Sequence, residues 1–341
     1  MTPSPTVLVS ILNFRTPGMT LRAIEAARVA MEGIAGEILV IDNGSGDGSY
    51  DDLRRRVAAE GWDRDGRVRV AASDRNGGFG AGHNIAMGIG LSDGTQADFV
   101  YLLNSDAFPA PDAIVTLLEV MHQRPRVGIA GSYIHGPDGE PHCTCFRFPS
   151  VLGEFESAVR FGPVTRLLSN HVVPMSIPDR TTELDWTAGA SMMLRRSMLD
   201  RIGGFDEAFF LYFEETDLCR RAWDTGWRVA YVPDSKVVHI GSVSTGMKRW
   251  TRVPGYFLDS RLHYLTKTHG RGTALAATLA HALGAALDDL RGLFDRRPKG
   301  RPERFTRDLL AHHLRALFDG KASARRAATP SGLGRERPGR T

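Results

Sequence analysis

Short apolar runs alternate with amphipathic segments along the first 130 residues. Four runs of five to nine residues are rich in β-branched and large aliphatic side chains, which is typical of strands buried on both faces. These predicted strands are 6–14, 37–42, 68–72 and 99–103. Apolar residues at helical spacing predict helices at 18–33, 50–60, 83–91 and 111–123. This alternation predicts an α/β fold with a mostly parallel, doubly wound sheet.

The rest of the chain has a less regular pattern. Residues 132–185 are rich in Pro, His and Phe, and we expect them to form loops over a site. Beyond Trp186, apolar strands are predicted at 190–194 and 237–240, and an Ala/Leu helix at 273–294. The predicted divisions are an α/β domain at 1–265 with halves 1–130 and 131–265, a helical C-terminal extension at 266–320, and a disordered basic end at 321–341.

Cysteine usage points to a reducing compartment. The chain has three cysteines, too few for a disulfide framework, so we expect a cytoplasmic protein. His142, Cys143 and Cys145 resemble half of a zinc site, but no second Cys or His pair stands at zinc-site spacing. A structural zinc ion is therefore not predicted.

Positive charge is concentrated at the C-terminal end. Residues 291–341 hold 14 Lys/Arg and 5 Asp/Glu, a net charge of +9, whereas the first 290 residues carry −5. Such an end suits nucleic acid or an anionic membrane surface. No nucleic-acid-binding motif accompanies it, so nucleic acid is not an expected partner. A peripheral position on the inner face of the membrane and a merely solvated end stay open as alternatives.

Acidic residues follow several of the predicted strands. In doubly wound sheets, ligands bind beyond the carboxyl ends of the strands, and Asp42, Asp74 and Asp106 fall at such ends. A buried carboxylate is costly without hydrogen-bond donors. For Asp42 the donor is either the imide N–H of a nucleotide base, or a ribose hydroxyl, or the turn that Asp42 itself caps.

A glycine-rich turn, NGGFGAGHN at 76–84, precedes a predicted helix. Glycines permit close backbone approach, and a helix N-terminus favours an anion. The segment matches neither the G-x-G-x-x-G dinucleotide fingerprint nor a P-loop. A nucleotide-dependent oxidoreductase remains an alternative class, but its fingerprint would follow the first strand, where this chain has Asn13-Phe14-Arg15-Thr16.

Two segments offer ligands for a metal ion. Asn104-Ser105-Asp106 follows an apolar strand, where a carboxylate beside a diphosphate can hold Mg²⁺ or Mn²⁺. His239 closes another apolar run, and neutral imidazole is a good Mn²⁺ ligand. A turn-initiating Asn-Ser-Asp and a structural histidine are the alternatives.

Three acids, Glu214, Glu215 and Asp217, follow a segment rich in aromatic residues. Hydrophobic surroundings raise the pKa of a carboxyl group and make it a usable general base. The alternative is an acidic first helical turn that the helix dipole stabilises. We expect Asp217 to cap this helix.

The motifs occur in one order: D-N-G-S, N-G-G-F-G-A-G-H-N, L-L-N-S-D, W-T-A-G-A, G-G-F-D-E-x-F-F-x-Y-x-E-E-x-D-L-C-R-R and V-V-H. This set spans about residues 5–265 and resembles family 2 glycosyltransferases, especially their rhamnosyltransferase-like branch, with galactofuranosyltransferases as relatives. The resemblance implies a GT-A fold, which is Rossmann-like. It also implies inverting transfer of a sugar from a nucleotide diphosphate to a hydroxyl of a saccharide or lipid-linked acceptor. The implied donor is dTDP-rhamnose first and a UDP-sugar second, with Mn²⁺ or Mg²⁺ as cofactor.

The resemblance also implies roles for individual residues. The nucleotide would contact Asp42, Asn43, Asp74, Asn76 and Asn84, and the metal would bind Asp106 and His239. The acceptor would border Trp186, Gly189 and Ala190. Glu215 would be the catalytic base, with Glu214 and Asp217 as the other candidates.

Two departures from the family pattern accompany these roles. Asn104 replaces the first acid of the Asp-x-Asp motif, and Glu215 replaces the usual Asp, so the base reaches one methylene further. A non-catalytic sugar-nucleotide binder is a further alternative, since it would keep Asp42 and Asp106 without turnover.

Overall fold

The computed structural model describes residues 4–64, 66–241, 250–295 and 301–318. Its strands are β1 Thr6–Asn13, β2 Ala35–Asp42, β3 Val68–Ala72, β4 Phe99–Asn104, β5 Ala107–Pro109, β6 Val127–His135, β7 Cys145–Phe146, β8 Thr182–Leu184, β9 Trp186–Thr187, β10 Ser191–Arg195 and β11 Arg228–His239. Its helices are α1 Pro17–Ala30, α2 Ser49–Ala59, α3 Phe79–Ile89, α4 Ala113–Gln123, α5 Val151–Val159, α6 Gly162–Leu167, α7 Arg196–Ile202, α8 Glu214–Asp224, α9 Gly255–Asp295 and α10 Phe305–Phe318. The predicted disordered end, 321–341, lies outside the described residues.

One mixed sheet runs through the described residues in the order β3-β2-β1-β4-β10-β6-β11-β5, with β8 also paired to β11. Strands β3, β2, β1 and β4 are parallel to one another, as are β6 and β11. Strand β10 is antiparallel to both β4 and β6, and β5 and β8 are antiparallel to β11. The prediction of a mostly parallel sheet flanked by helices is confirmed.

Both faces of the sheet are buried, which explains the uninterrupted apolar runs. Along β1, Val7, Val9 and Ile11 belong to one core cluster, while Leu8 belongs to another on the opposite face. Successive side chains of a strand point to opposite faces, so a strand covered on both faces is apolar at most of its positions.

The strand register aligns the polar ends of the sheet. Asn13 pairs with Asp42, Asp42 pairs with Ala72, and Leu12 pairs with Asn104. The carboxyl ends of β1, β2, β3 and β4 therefore meet at one edge. This is the edge at which ligands bind in sheets of this kind.

Residues 132–185, expected to form loops, also contain helices α5 and α6. Ser150 starts α5 by accepting a hydrogen bond from the Gly153 N–H at 3.1 Å. The helix then packs against the second arm of α9, where a Cβ atom on Gly284 would lie 2.6 Å from the Phe155 carbonyl oxygen. This contact spans more than a hundred residues, so local periodicity does not reveal it.

Helix α9 is kinked at Gly270, whose φ of 82° is non-helical. Its second arm corresponds to the predicted helix at 273–294, and the predicted domain boundary at 265 falls inside the first arm. No helix within the described residues has both the length and the apolar character that a membrane span requires.

Candidate active site

The turn after β2 encloses the Asp42 carboxylate, which is buried. Its Oδ1 accepts hydrogen bonds from Asn13 Nδ2 and Ser45 Oγ, both at 2.6 Å, and its Oδ2 accepts one from the Ser45 N–H at 3.2 Å. The donors of Asp42 are thus supplied by the turn that it closes and by Asn13 at the end of β1. Contact between Asp42 and a nucleotide base stays a prediction.

Asn43 joins this turn to the glycine-rich turn. Its Nδ2 donates to Asn76 Oδ1 and to the Gly78 carbonyl, each at 3.0 Å. Gly78 has a φ of +92°, and a Cβ atom there would lie 1.9 Å from the Phe210 carbonyl oxygen. Only glycine permits this approach. It places the glycine-rich turn directly against the segment that leads to the three acids.

Asn84 and Asp74 have different surroundings. The Asn84 side chain accepts a hydrogen bond from the Phe205 N–H at 2.9 Å and donates to the Phe205 carbonyl at 2.9 Å and to Glu207 at 3.0 Å. Its amide therefore fastens α3 to the loop before α8. Asp74 is exposed in the turn after β3. The predicted nucleotide contacts of both residues stay predictions.

The two predicted metal ligands are adjacent. His239, at the end of β11, has its Nε2 3.1 Å from Asp106 Oδ1 and 3.3 Å from Asn104 Nδ2. The strands hold this pair in place, because His239 pairs with Ala107 in β5 and the Ile240 N–H donates to the Asp106 carbonyl. A carboxylate oxygen beside an imidazole nitrogen suits Mn²⁺ or Mg²⁺. Within the described residues, no group of three or more His, Cys, Asp or Glu is arranged to hold a metal ion. Such an ion would therefore need donor or water oxygens as well.

His142 is a neighbour of this pair that the sequence did not assign to it. Its ring centroid lies 6.1 Å from that of His239, with the ring planes at 72°. It lies in the loop between β6 and β7. The one sequence signal was its place beside Cys143, which suggested zinc rather than a position near Asp106.

Glu214 and Glu215 open helix α8 in buried surroundings. The Oε2 atom of each has no hydrogen-bond partner among the described residues. Burial raises the pKa of Glu215 to about 7, opposed by hydrogen bonds from its own N–H and from that of Gly189. Burial, and then the charge of Glu215, raises the pKa of Glu214 well above its ordinary value. A buried carboxylate whose pKa is near neutrality is suited to general-base catalysis.

The backbone just before α8 is strained. Tyr212 and Phe213 have φ values of 70° and 68°, in the left-handed region that non-glycine residues rarely adopt. Each such residue costs of order 1–3 kcal/mol, and this strain is commonly found at functional sites. These two residues set the direction in which α8 and its first two glutamates emerge.

Asp217 has a different environment from the two glutamates. Its carboxylate pairs with Arg221 at 2.8 Å and with Lys267 of α9 at 2.7 Å. No side chain caps α8, whose N-cap residue is Phe213, so the expectation that Asp217 caps the helix is wrong. The two cations can reach the acid from the next turn and from a neighbouring helix. A doubly paired carboxylate is poorly suited to take a proton.

The predicted acceptor residues link the two parts of the site. The Ala190 carbonyl accepts a hydrogen bond from the Asn104 N–H at 3.0 Å, while Gly189 donates to Glu215. Trp186 stacks on Phe146 with ring centroids 4.1 Å apart, and its indole N–H donates to the Arg147 carbonyl. The segment 186–190 therefore contacts both Asn104, two residues before Asp106, and the Glu215 carboxylate. Its contact with an acceptor stays a prediction.

Comparison with known proteins identifies curated relatives. N-acetylglucosaminyl-diphospho-decaprenol L-rhamnosyltransferase of Mycobacterium tuberculosis is 30% identical over 222 residues, which cover 61% of this chain and 68% of that protein. Rhamnosyltransferase WbbL of Escherichia coli K12 is 28% identical over 165 residues, covering 48% of this chain and 60% of that one. These relatives support the resemblance to the rhamnosyltransferase-like branch.

Solved structures support the fold. GalNAc-T7, crystallised with UDP, GalNAc and Mn²⁺, superposes with a TM-score of 0.55 at 13% identity, covering 97% of this chain and 59% of that one. The mannosyltransferase PcManGT of Pyrobaculum calidifontis, in complex with GDP-Man and Mn²⁺, gives 0.51 at 16% identity, covering 94% and 89%. The predicted GT-A fold is confirmed. The model of a family described as glycosyltransferase like family 2 matches residues 5–252, so the chain belongs to that glycosyltransferase family.

Proposed function

We propose that this glycosyltransferase moves rhamnose, with inversion, from dTDP-rhamnose to a hydroxyl group of a lipid-linked or saccharide acceptor. The observation that carries the proposal is the Glu215 carboxylate: its Oε2 atom is buried, it has no ion pair within the described residues, and it accepts a hydrogen bond from Gly189 in the predicted acceptor segment. The names of the curated relatives support the choice of rhamnose and of a lipid-linked acceptor. A UDP-sugar is the second candidate donor.

Glu215 would act as the general base. Its carboxylate takes the proton of the acceptor hydroxyl as that oxygen forms a bond to the anomeric carbon. The bond from the anomeric carbon to the diphosphate oxygen breaks on the opposite face, and the electron pair leaves with the nucleoside diphosphate. Attack from the far face inverts the anomeric configuration.

The edge of the sheet would hold the donor. Asp42, Asn43, Asp74 and Asn76 lie in the two turns where the nucleotide is expected. Asp106 and His239 would hold a Mn²⁺ or Mg²⁺ ion, which when bound would offset the charge of the departing diphosphate. Mn²⁺ in the two similar solved structures supports this assignment. The strands keep His239 Nε2 3.1 Å from Asp106 Oδ1, which supports the assignment.

A non-catalytic sugar-nucleotide binder is the second candidate. Such a protein would keep the donor-side turns but would have no use for a buried, unpaired carboxylate. Burying Glu214 and the Oε2 atom of Glu215 costs stability, and no ion pair within the described residues compensates for it. Such costs are usually found where chemistry needs them. The site therefore favours transfer over binding alone.

Glu215→Gln tests the proposal, because it keeps the shape of the side chain and removes the base. We expect kcat for dTDP-rhamnose to fall by ~10²–10⁴, the usual range for general-base catalysis. Calorimetry should show donor affinity little changed, since the donor is expected at the sheet edge. Glu214→Gln is the matched control and should retain far more activity.

Two results would contradict the proposal. Near-normal turnover of the Glu215→Gln protein would place the base elsewhere. Turnover with UDP-glucose, combined with no binding of dTDP-rhamnose, would show the donor assignment to be wrong while leaving the catalytic assignment intact.

A further inference from the structure

The second arm of α9 exposes a continuous apolar face. Six large side chains there are between 38% and 81% exposed: Leu279, Leu283, Leu287, Leu290, Leu293 and Phe294. With 3.6 residues per turn, all six fall within an arc of about 120°. We call this arc the leucine face. Monomeric proteins seldom expose an ordered row of large apolar residues without a partner for it.

The opposite side of the same arm is fixed in the protein. Ala277, Thr278 and Ala285 are buried there, and His281 lies 3.2 Å from the Glu154 carboxylate of α5. Gly284 adds a close backbone contact with α5. The arm therefore has one defined orientation, and the leucine face points away from the packed side of the helix.

The charge distribution indicates what covers the leucine face. The face ends at Phe294, where the segment with a net charge of +9 has just begun, and the preceding 290 residues carry −5. An apolar helix face that is followed along the chain by a basic segment matches the boundary between the headgroups and acyl chains of an anionic bilayer. The face extends over 16 residues, about 24 Å of helix, and its helix does not qualify as a membrane span.

We propose that the leucine face lies in the plane of an anionic membrane, with its side chains among the first acyl carbons and the positive charge of residues 291–341 attracted to the headgroups. The proposal rests on the proposed function only in that a lipid-linked acceptor gives the enzyme a reason to be at the membrane. The binding itself requires neither donor nor acceptor. A second copy of the chain is the competing occupant, and the test separates the two.

Vesicle flotation of the full-length protein tests this directly. The probes are phosphatidylcholine vesicles with and without phosphatidylglycerol. The triple variant Leu279→Gln, Leu283→Gln, Leu290→Gln should bind the anionic vesicles at least about tenfold more weakly, since each buried methylene contributes to partitioning. The matched control is Val29→Gln, Ile89→Gln, Val115→Gln, which changes three comparably exposed residues on the α/β domain. It should bind like the wild type, and added salt should weaken both.

A single-site probe covers the case in which the triple variant folds poorly. Cys145 and Cys219 are buried, so a Cys143→Ser background leaves one added cysteine to label. An environment-sensitive fluorophore at Leu283→Cys should increase in emission with anionic vesicles, whereas the same fluorophore at Ile89→Cys should not.

Three outcomes would overturn the proposal. These are equal vesicle binding by the triple variant and the wild type, no change at the Leu283→Cys label, and a wild-type dimer in light scattering that the triple substitution dissociates. Transfer to a water-soluble acceptor should be unchanged in the triple variant. Vesicle binding without any transferase activity would refute the proposed function and leave this inference standing.

Discussion

At the scale of single residues, the two glutamates at the start of α8 are the most informative. Glu214 is almost fully buried, and among the residues that the structure describes neither glutamate has a cationic partner, whereas Asp217 has two. The same helical turn thus holds a paired acid and two unpaired ones. That difference in environment, and not residue type, separates the candidate base from the structural acid.

The pKa of Glu215 predicts the pH dependence of transfer. A base must be deprotonated, so kcat/KM should rise with pH and level off above about 7. The Glu215→Gln protein should lack this inflection. A pH–rate profile of both proteins would check it, and an inflection that persists in the variant would assign it to another group.

Stability should change with pH in the opposite sense. Because burial raises the folded-state pKa of Glu215 from 4.5 to about 7, the folded protein holds the proton more tightly than the unfolded chain. The contribution of Glu215 to the free energy of unfolding is fully present below the pKa of the unfolded chain and is lost as the pH rises through 7. The Glu215→Gln protein should therefore be more stable than the wild type at pH 8, by an amount of order 1–3 kcal/mol. At pH 4 the two should be nearly equal in urea denaturation.

Asp106 and His239 predict a metal requirement. EDTA should abolish transfer, and Mn²⁺ or Mg²⁺ should restore it. Asp106→Ala should reduce the rate at least about tenfold more than His239→Ala, or about 1.4 kcal/mol, because it removes the charged ligand. Titrating the donor with and without Mn²⁺ gives a readout independent of turnover. Full activity in EDTA would assign both residues structural roles.

At the scale of elements, the glycine-rich turn joins the donor side to the acid-bearing helix. The Phe79 N–H at the start of α3 donates to the Phe210 carbonyl at 3.1 Å, four residues before α8. Asn84 then fastens the body of α3 to Phe205. The turn and the segment before α8 are thus held together as one unit.

Gly78→Ala should damage this junction. The substituted residue would have to keep a φ of +92° and would bring its Cβ atom to 1.9 Å from the Phe210 carbonyl oxygen. We expect a loss of at least about 2 kcal/mol in unfolding free energy. Gly88→Ala is the matched control, since Gly88 lies within α3 with nothing within 4 Å of an added Cβ. It should be neutral or stabilising by about 0.5–1 kcal/mol. Equal effects in denaturant titrations would contradict this account.

The elements also show what the sequence can reveal. Strands β1, β2 and β4 lie within two residues of their predicted bounds, since each consists mainly of apolar residues. Strand β6 was not predicted, because Gly128, Gly131 and Ser132 interrupt its apolar pattern. Gly131 is needed for a tertiary reason: a Cβ atom there would lie 2.3 Å from Thr187 Oγ1. Close packing between distant segments thus requires residues that interrupt the alternating or continuous apolar pattern by which a strand is predicted.

Some features of the candidate site could likewise be predicted from the sequence, and others could not. Asp106 and His239 both close apolar strands, and the edge of the sheet brings them together. The hydrogen bond from Gly189 to Glu215 and the position of His142 depend on how separate loops fold over that edge. Spacing along the chain contains no information about such contacts.

At the scale of the whole molecule, helix α9 is joined to the helices that pack against it by ion pairs. The first arm of α9 places Lys267 between Asp206 and Asp217, at 2.8 and 2.7 Å. From the same arm, Arg261 reaches the Glu154 carboxylate at 3.0 Å, and the adjacent positive charge holds the pKa of Glu154 at about 2 despite its burial. Ion pairs therefore join α9 to both α8 and α5.

Asp217→Asn should weaken this connection without removing the base. The substitution leaves Arg221 and Lys267 without their shared anion, and we expect a loss of roughly 2–4 kcal/mol in unfolding free energy. Activity per folded molecule should stay within about tenfold of the wild type, in contrast to the proposed loss for Glu215→Gln. Asp224→Asn, in an exposed pair with Arg220, is the control and should cost less than about 1 kcal/mol. A rate loss in Asp217→Asn comparable to that of Glu215→Gln would reinstate Asp217 as a candidate base.

The kink at Gly270 has a consequence for the distance between the proposed membrane-binding face and the candidate base. Helices α5 and α10 contact both arms of α9, through Arg261 and His281 to Glu154 and through Asp259 and Thr278 to α10, so they hold the two arms at a fixed angle. With the leucine face on a bilayer, that angle sets the height of Glu215 above the headgroups. An acceptor anchored by its lipid would then receive a sugar only if its free hydroxyl group lay at the same height above the headgroups as Glu215. The bend in α9 would then select acceptors by their length, even if the protein made no contact that distinguishes one acceptor sugar from another.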